Sequence, residues 1–115
     1  QINLSITNLD PIFDGTLDYM QANNIIPMAY SPLGDYYKNN NPKFNKVFDL
    51  FTKKYNCTND QLLISWLIKL PSKVYPVIGT SKAQRIKNSL KSLKIDIEIS
   101  DWFEMLEASV GKRVA

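Results

Sequence analysis

The stretch Val77-Ile78-Gly79-Thr80-Ser81-Lys82-Ala83-Gln84-Arg85-Ile86 constrains this chain more than any other. An apolar pair runs through a tight turn of small residues into a helical pattern, so a strand feeds a helix directly. Ser81 stands three residues before Gln84, the spacing of a capping box, in which side chain and backbone satisfy each other's orphan groups. A helix N-terminus opening from a Gly-Thr-Ser turn gathers unpaired N–H groups and the positive end of the helix dipole at one spot, which suits a phosphate. Arg85, one turn in, adds a fixed-charge fork of matching chemistry. The same pattern also describes a plain capped helix with a surface arginine.

The remainder of the chain repeats the strand-then-helix theme. Residues 1–7 alternate, with Ile2, Leu4 and Ile6 on one side and Asn3, Ser5 and Thr7 on the other, and read as a strand. Residues 8–14 read as a loop, and Asp14-Gly15-Thr16 starts a short helix with Leu17 and Met20 on one face. Ile25 to Tyr30 reads as a strand covered on both faces. Ser31 to Pro42 is a long polar loop, longer than most connections in compact domains. Residues 43–56 place Phe44, Val47, Phe48, Phe51 and Tyr55 at helical spacing. Thr58-Asn59-Asp60-Gln61 is a second capping box, opening a largely apolar helix to about Leu70. Val74 to Ile78 is the third strand. Residues 82–93 form a helix with Ile86, Leu90 and Leu93 inward, and a last helix, capped at Ser100, covers 101–109 before Gly111 and a short basic tail.

This alternation argues for parallel strands joined by right-handed crossovers. Three strands fit a small doubly wound layer or part of a (β/α)₈ barrel, and the pattern leaves both open. A whole barrel needs about 250 residues, so this chain of 115 would supply the last three of eight strands. The chain also opens inside a strand, which points to a piece of a longer protein. Barrels commonly build a phosphate site from the loops after strands seven and eight, where the Gly79-Thr80-Ser81 turn would fall.

Composition narrows the function classes. With 14 Lys and Arg against 11 Asp and Glu the net charge is +3, and the lysines are scattered, so a nucleic-acid partner is not indicated. The single cysteine, Cys57, excludes an internal disulfide framework and fits a reducing, cytoplasmic setting. No run of 18 apolar residues suggests a membrane span. The Asn-x-Ser/Thr triplets at Asn3 and Asn56 read as chance. There is no histidine, which rules out a Ser-His nucleophile within these residues, and no Cys/His cluster to hold a structural metal. Walker-type and Gly-x-Gly-x-x-Gly loops are lacking as well. Trp66 and Trp102 lie at helical apolar spacing and read as core. Asp10, Asp14 and Asp18 read as turn and helix-start residues. Tyr36-Tyr37 either lines a pocket or covers a rim.

Five blocks, in this order and spacing, resemble the last third of an aldo-keto reductase: Gln1-Ile2-Asn3-Leu4-Ser5, Asp14-Gly15-Thr16-Leu17-Asp18, Ile25-Ile26-Pro27-Met28-Ala29-Tyr30-Ser31-Pro32-Leu33-Gly34, Val77-Ile78-Gly79-Thr80-Ser81, and Asp101-Trp102-Phe103-Glu104-Met105-Leu106-Glu107-Ala108-Ser109. The second and last look most like the bacterial oxidoreductases of the YdhF type. The resemblance implies an α/β fold, the C-terminal three βα units of a (β/α)₈ barrel plus a closing helix, completed by barrel strands from the same or another chain. It implies NADPH-dependent, metal-free reduction of an aldehyde or ketone to an alcohol. The family's Asp, Tyr, Lys and His tetrad comes from earlier strands, so no catalytic residue is assigned here.

By the same resemblance, Gln1 matches a glutamine that hydrogen-bonds the nicotinamide amide, although it also reads as a frayed terminal residue. Tyr30 matches the aromatic that stacks on the nicotinamide ring. Ser31, Leu33 and Gly34 match a loop that passes the pyrophosphate with small residues and free N–H groups. Gly79, Thr80 and Ser81 match the turn that holds the 2′-phosphate; many members have lysine where Gly79 stands, and Lys82 would offset its loss. Arg85 matches an arginine lying against adenine and the 2′-phosphate. Family members commonly follow it with acid-Asn, whereas here Asn88 and Ser89 stand, leaving Asn88 to hydrogen-bond adenine. One rival reading is a truncated, catalytically inactive reductase-like chain that binds a nucleotide or partner. Another, a nucleic-acid-binding α/β domain, rests on the pI near 9.0 alone.

Overall fold

The computed structural model describes residues 1–112; the basic tail from residue 113 onward lies outside the described residues. Three short strands, β1 (Ile2–Asn3), β2 (Met28–Tyr30) and β3 (Tyr75–Pro76), pair in parallel in the order β1-β2-β3. Ile2 lies beside Ala29, and Ala29 beside Pro76. Between and after them come α1 (Asp10–Phe13), α2 (Thr16–Ala22), α3 (Pro42–Lys54), α4 (Asn59–Ile68), α5 (Ala83–Leu90) and α6 (Ile99–Val110).

The first strand is shorter than its alternation suggests. After Leu4 the chain folds into a turn in which Ser5 and Asn8 exchange backbone hydrogen bonds (3.3 and 3.0 Å), and the Ser5 hydroxyl accepts from the Thr7 and Asn8 amides (3.2 and 3.1 Å). A serine side chain that satisfies nearby amides offers the backbone an alternative to the sheet. Strand β3 is cut to two residues by Pro76, which has no N–H for the ladder, although the Val77 amide still reaches the Ala29 carbonyl at 2.8 Å. In the segment 8–14, α1 forms one turn because Pro11 presets φ at the start of a helix.

The sheet is covered on one face. Ala29 is fully buried under the helices, whereas Met28, Tyr30 and Tyr75 on the opposite face are 43, 42 and 56% exposed. Leu4 is fully buried in the helical core. It shares the side of Ile2, whose partner Ala29 faces the helices.

That core is built by α3, α4 and α6. Phe44, Phe48 and Phe51 form the buried stripe of α3, and α4 is buried from Gln61 through Leu67. Trp66 and Trp102 are core residues, their rings stacked 4.6 Å apart and parallel within 1°. Each indole N–H donates to the other residue's carbonyl, at 3.1 and 2.9 Å. A cluster on the rim joins α3 to α6: Lys54 Nζ lies 2.7 Å from Asp101, and the Tyr55 hydroxyl also donates to that carboxylate while accepting from the Glu98 amide at 2.9 Å.

Three helix expectations are corrected. The capping box at Thr58 and Gln61 forms in full, but the one at Ser81 and Gln84 does not. Lys82 takes the N-cap position of α5, Thr80 Oγ1 accepts from its amide at 3.2 Å, and Gln84 turns along the helix to Asn88 at 3.2 Å. Helix α6 begins before Ser100, with Glu98 as its N-cap and the Trp102 amide on the Glu98 carbonyl at 2.9 Å. Finally, Ile86, Leu90 and Leu93 are 40, 57 and 66% exposed rather than inward. Helix α5 packs on α4 and on the turn that follows it, and its apolar stripe stays uncovered.

Candidate functional site

A cleft of about 680 Å³ opens beyond the carboxyl ends of β2 and β3, the place where open parallel sheets bind ligands. One wall is the segment Ser31–Gly34. A second is Val77–Thr80, continued by Arg85, Asn88 and Ser89 of α5. The third comes from Thr58, Asp60, Gln61 and Ile64 at the start of α4, with Tyr37 over it.

The Ser31–Gly34 wall leaves the sheet through strained backbone. Ser31 adopts φ +51° and Gly34 φ +55°, the left-handed region that non-glycine residues rarely enter. The Gly34 amide closes the turn on the Ser31 carbonyl at 2.9 Å, and the Asp35 amide donates to Thr7 Oγ1 at 2.9 Å. Any Cβ at Gly34 would collide with the Ser5 and Thr7 hydroxyls. Glycine is therefore required because the loop is pressed against the turn after β1. Its amide is already engaged, contrary to the expectation of a free donor there.

Gly79 is the opposite case. It has no positive φ, and a Cβ built on it meets nothing within 4 Å. The Thr80 hydroxyl is occupied as acceptor for Lys82 and can still donate outward. No carboxylate of the described residues lies within ion-pair distance of Arg85. Asn88 is held from both sides: its carbonyl accepts from Gln61 Nε2 at 2.8 Å, and its side-chain oxygen accepts from Gln84. The Gln61 contact ties α4 to α5 and fixes the depth of the cleft between them.

Of the ten candidate residues, Ser31, Leu33, Gly34, Gly79, Thr80, Arg85 and Asn88 line this one cleft. Ser81 is exposed beside it. Tyr30 and Gln1 lie apart from it; Tyr30 is on the bare face of the sheet, 42% exposed, and Gln1 is exposed at the start of β1. Tyr36 and Tyr37 divide the two roles offered to them. Tyr36 is buried against Phe44 and Phe48, while Tyr37 faces the cleft and its hydroxyl donates to Asp60. Burial of its hydroxyl end and then the Asp60 contact push the Tyr37 phenol well above its ordinary range, so it stays a donor. Asp60, Gln61 and Ile64 line the cleft as well, and in the sequence they mark only the start of a capped helix. Their capping-box helix marks a start near the sheet, but only the fold turns that start toward the strand ends.

The dimensions fit a small-molecule cofactor, since ligand clefts run about 300–1,000 Å³ with a few convergent polar groups. The cation, the hydroxyls and the adjoining amide-lined turn suit an anionic, hydroxyl-bearing ligand.

Residues 1–109 match the model of the Aldo/keto reductase family. The chain is 30% identical to a 6-dehydroglucose reductase of Agrobacterium fabrum over 117 residues, covering all of this chain and 39% of the relative. It is 28% identical to the oxidoreductase YdhF of Escherichia coli, over 96% of this chain and 39% of that protein. The chain thus spans about two-fifths of the length of the curated relatives it matches. The crystal structure of a thermostable aldo-keto reductase, Tm1743, in complex with the inhibitor epalrestat superposes with a TM-score of 0.82 at 22% identity, over 94% of this chain and 38% of that one. By the match of 109 of its 115 residues to the family model, and with an α/β fold shared with a solved member, this chain belongs to the aldo/keto reductase family.

Proposed function

We propose that this chain is the cofactor-cradling portion of an NADP-dependent reductase that converts an aldehyde or ketone to an alcohol. In this reading its three strands and α6 are the C-terminal βα units and closing helix of a (β/α)₈ barrel, working in the cytoplasm. The observation that carries the proposal is the convergence of Ser31–Gly34, Gly79–Thr80, Arg85 and Asn88 on one cleft at the strand ends. NADPH would supply the hydride. The chain's own part is to hold it: Arg85 and Thr80 toward the 2′-phosphate, Asn88 toward adenine, the Ser31–Gly34 loop along the pyrophosphate. Tyr30, at the carboxyl end of β2, and Gln1, at the start of β1, are proposed for the nicotinamide end.

The test is titration of the intact protein with NADPH, followed by NADPH oxidation with a panel of aldehydes and ketones. Saturable binding with turnover supports the proposal, and no binding overturns it. The rival reading is a reductase-like chain that binds the nucleotide without turnover. Binding without carbonyl-dependent oxidation would select it.

A further inference from the structure

The walls of the cleft carry one cation, Arg85, and one anion, Asp60; every other lining residue is neutral. A site made to attract a doubly charged phosphate gains from an excess of positive charge, and this lining has none. Gly79, at the turn that faces the phosphate position, contributes no side chain, and open space lies where a Cβ would stand. Asp60, the second residue of α4, is not bound up in capping, because Thr58 and Gln61 cap that helix by themselves. Its one side-chain partner among the described residues is the Tyr37 hydroxyl, which reaches it from the loop after β2. A carboxylate placed in this way repels a phosphate and accepts hydrogen bonds from sugar hydroxyls.

We propose that Asp60 is a cofactor-specificity residue: its charge opposes the pull of Arg85 on a 2′-phosphate and its oxygens accept from ribose hydroxyls, so this site takes NADH as well as NADPH. Tyr37 sets the strength of that effect by donating to the carboxylate and spreading its charge. The inference rests on the dinucleotide reading of the cleft.

The experiment is titration of the intact protein with NADPH and NADH by calorimetry, at two salt concentrations. Asp60→Asn keeps the shape and removes the charge. It should raise the ratio of NADPH to NADH affinity about tenfold, or about 1.4 kcal/mol. The change should shrink as salt is raised, because exposed charges are screened over about 8 Å at physiological ionic strength. Tyr37→Phe keeps the ring and uncovers the charge, so the ratio should move the other way. Taking both cofactors on the same variant cancels any general loss of fold, which would weaken both equally. A ratio that Asp60→Asn leaves within twofold, or that both variants move in the same direction, overturns the inference while the cofactor reading stands. A wild-type protein that binds neither dinucleotide overturns both.

Discussion

Gly34 and Gly79 face the same cleft for different reasons, and substitution should separate them. At Gly34 both backbone and space forbid a side chain. Gly34→Ala should cost more than about 1 kcal/mol, the usual outcome when alanine is forced to positive φ, and should displace the Ser31–Gly34 wall. At Gly79 neither constraint applies, so Gly79→Lys should leave stability within about 0.5 kcal/mol and tighten NADPH by adding a second cation. Thermal unfolding with cofactor titration reads both; a stable Gly34→Ala protein would contradict the first. Arg85→Ala should weaken NADPH roughly tenfold to a hundredfold, the size of one charge-assisted contact of about 1.5–3 kcal/mol, and NADH much less. Equal losses for the two cofactors would show that Arg85 does not read the 2′-phosphate. The sequence displays Arg85 and Gly79 openly, because a strand, a turn and a helix start lie within ten residues. It does not display Asp60 and Tyr37 as a pair, because 23 residues separate them and only the path of a long loop brings them together.

Among the elements, what is local in sequence was legible and what depends on a distant neighbour was not. The Thr58–Gln61 box forms because both halves lie within one turn and α4 is anchored by its buried length. The same pattern at Ser81 and Gln84 fails because Thr80 and Lys82 take over the start of α5. Thr58→Ala should therefore destabilise the fold by about 1 kcal/mol, while Ser81→Ala should change it by a few tenths at most. Chemical denaturation of the two variants side by side decides this. The α3–α6 cluster adds a dependence on pH. Burial pushes the Asp101 carboxyl up, but the Lys54 ammonium and the Tyr55 hydroxyl pull harder and hold it below the usual carboxylate range. Because the folded state binds that proton less readily than the unfolded one, the stabilisation is present above the ordinary aspartate pKa of about 3.9 and is lost as pH falls through the lower folded value. Asp101→Asn should lower stability at neutral pH by roughly 1–2 kcal/mol and flatten the acid limb of the curve. Parallel acid limbs for the two proteins would sink the assignment.

For the whole molecule, three parallel strands with helices between them were readable from periodicity, and the family from its blocks. The bare face was not, since strict alternation is missing in Ile25–Tyr30 and nothing local says which side of a short parallel strand the helices will cover. Met28, Tyr30 and Tyr75 on that face, and Ile86 and Leu90 on α5 with Leu93 just after it, present two exposed apolar surfaces. Expressed by itself, the 1–115 chain should associate, because uncovered strand edges and apolar faces pair with what is available. Sedimentation of a stable monomer at high concentration would refute this. Beneath the sheet, the stacked indoles of Trp66 and Trp102 are the chain's only two tryptophans. Both indoles are buried, so their emission band should lie to the blue in the folded protein and move to the red when the stack opens. That band would belong to a single contact, between α4 and α6. Since α4 carries the cleft wall at one end and Trp66 at the other, the protein holds a native optical gauge of whether the wall is still seated on its foundation.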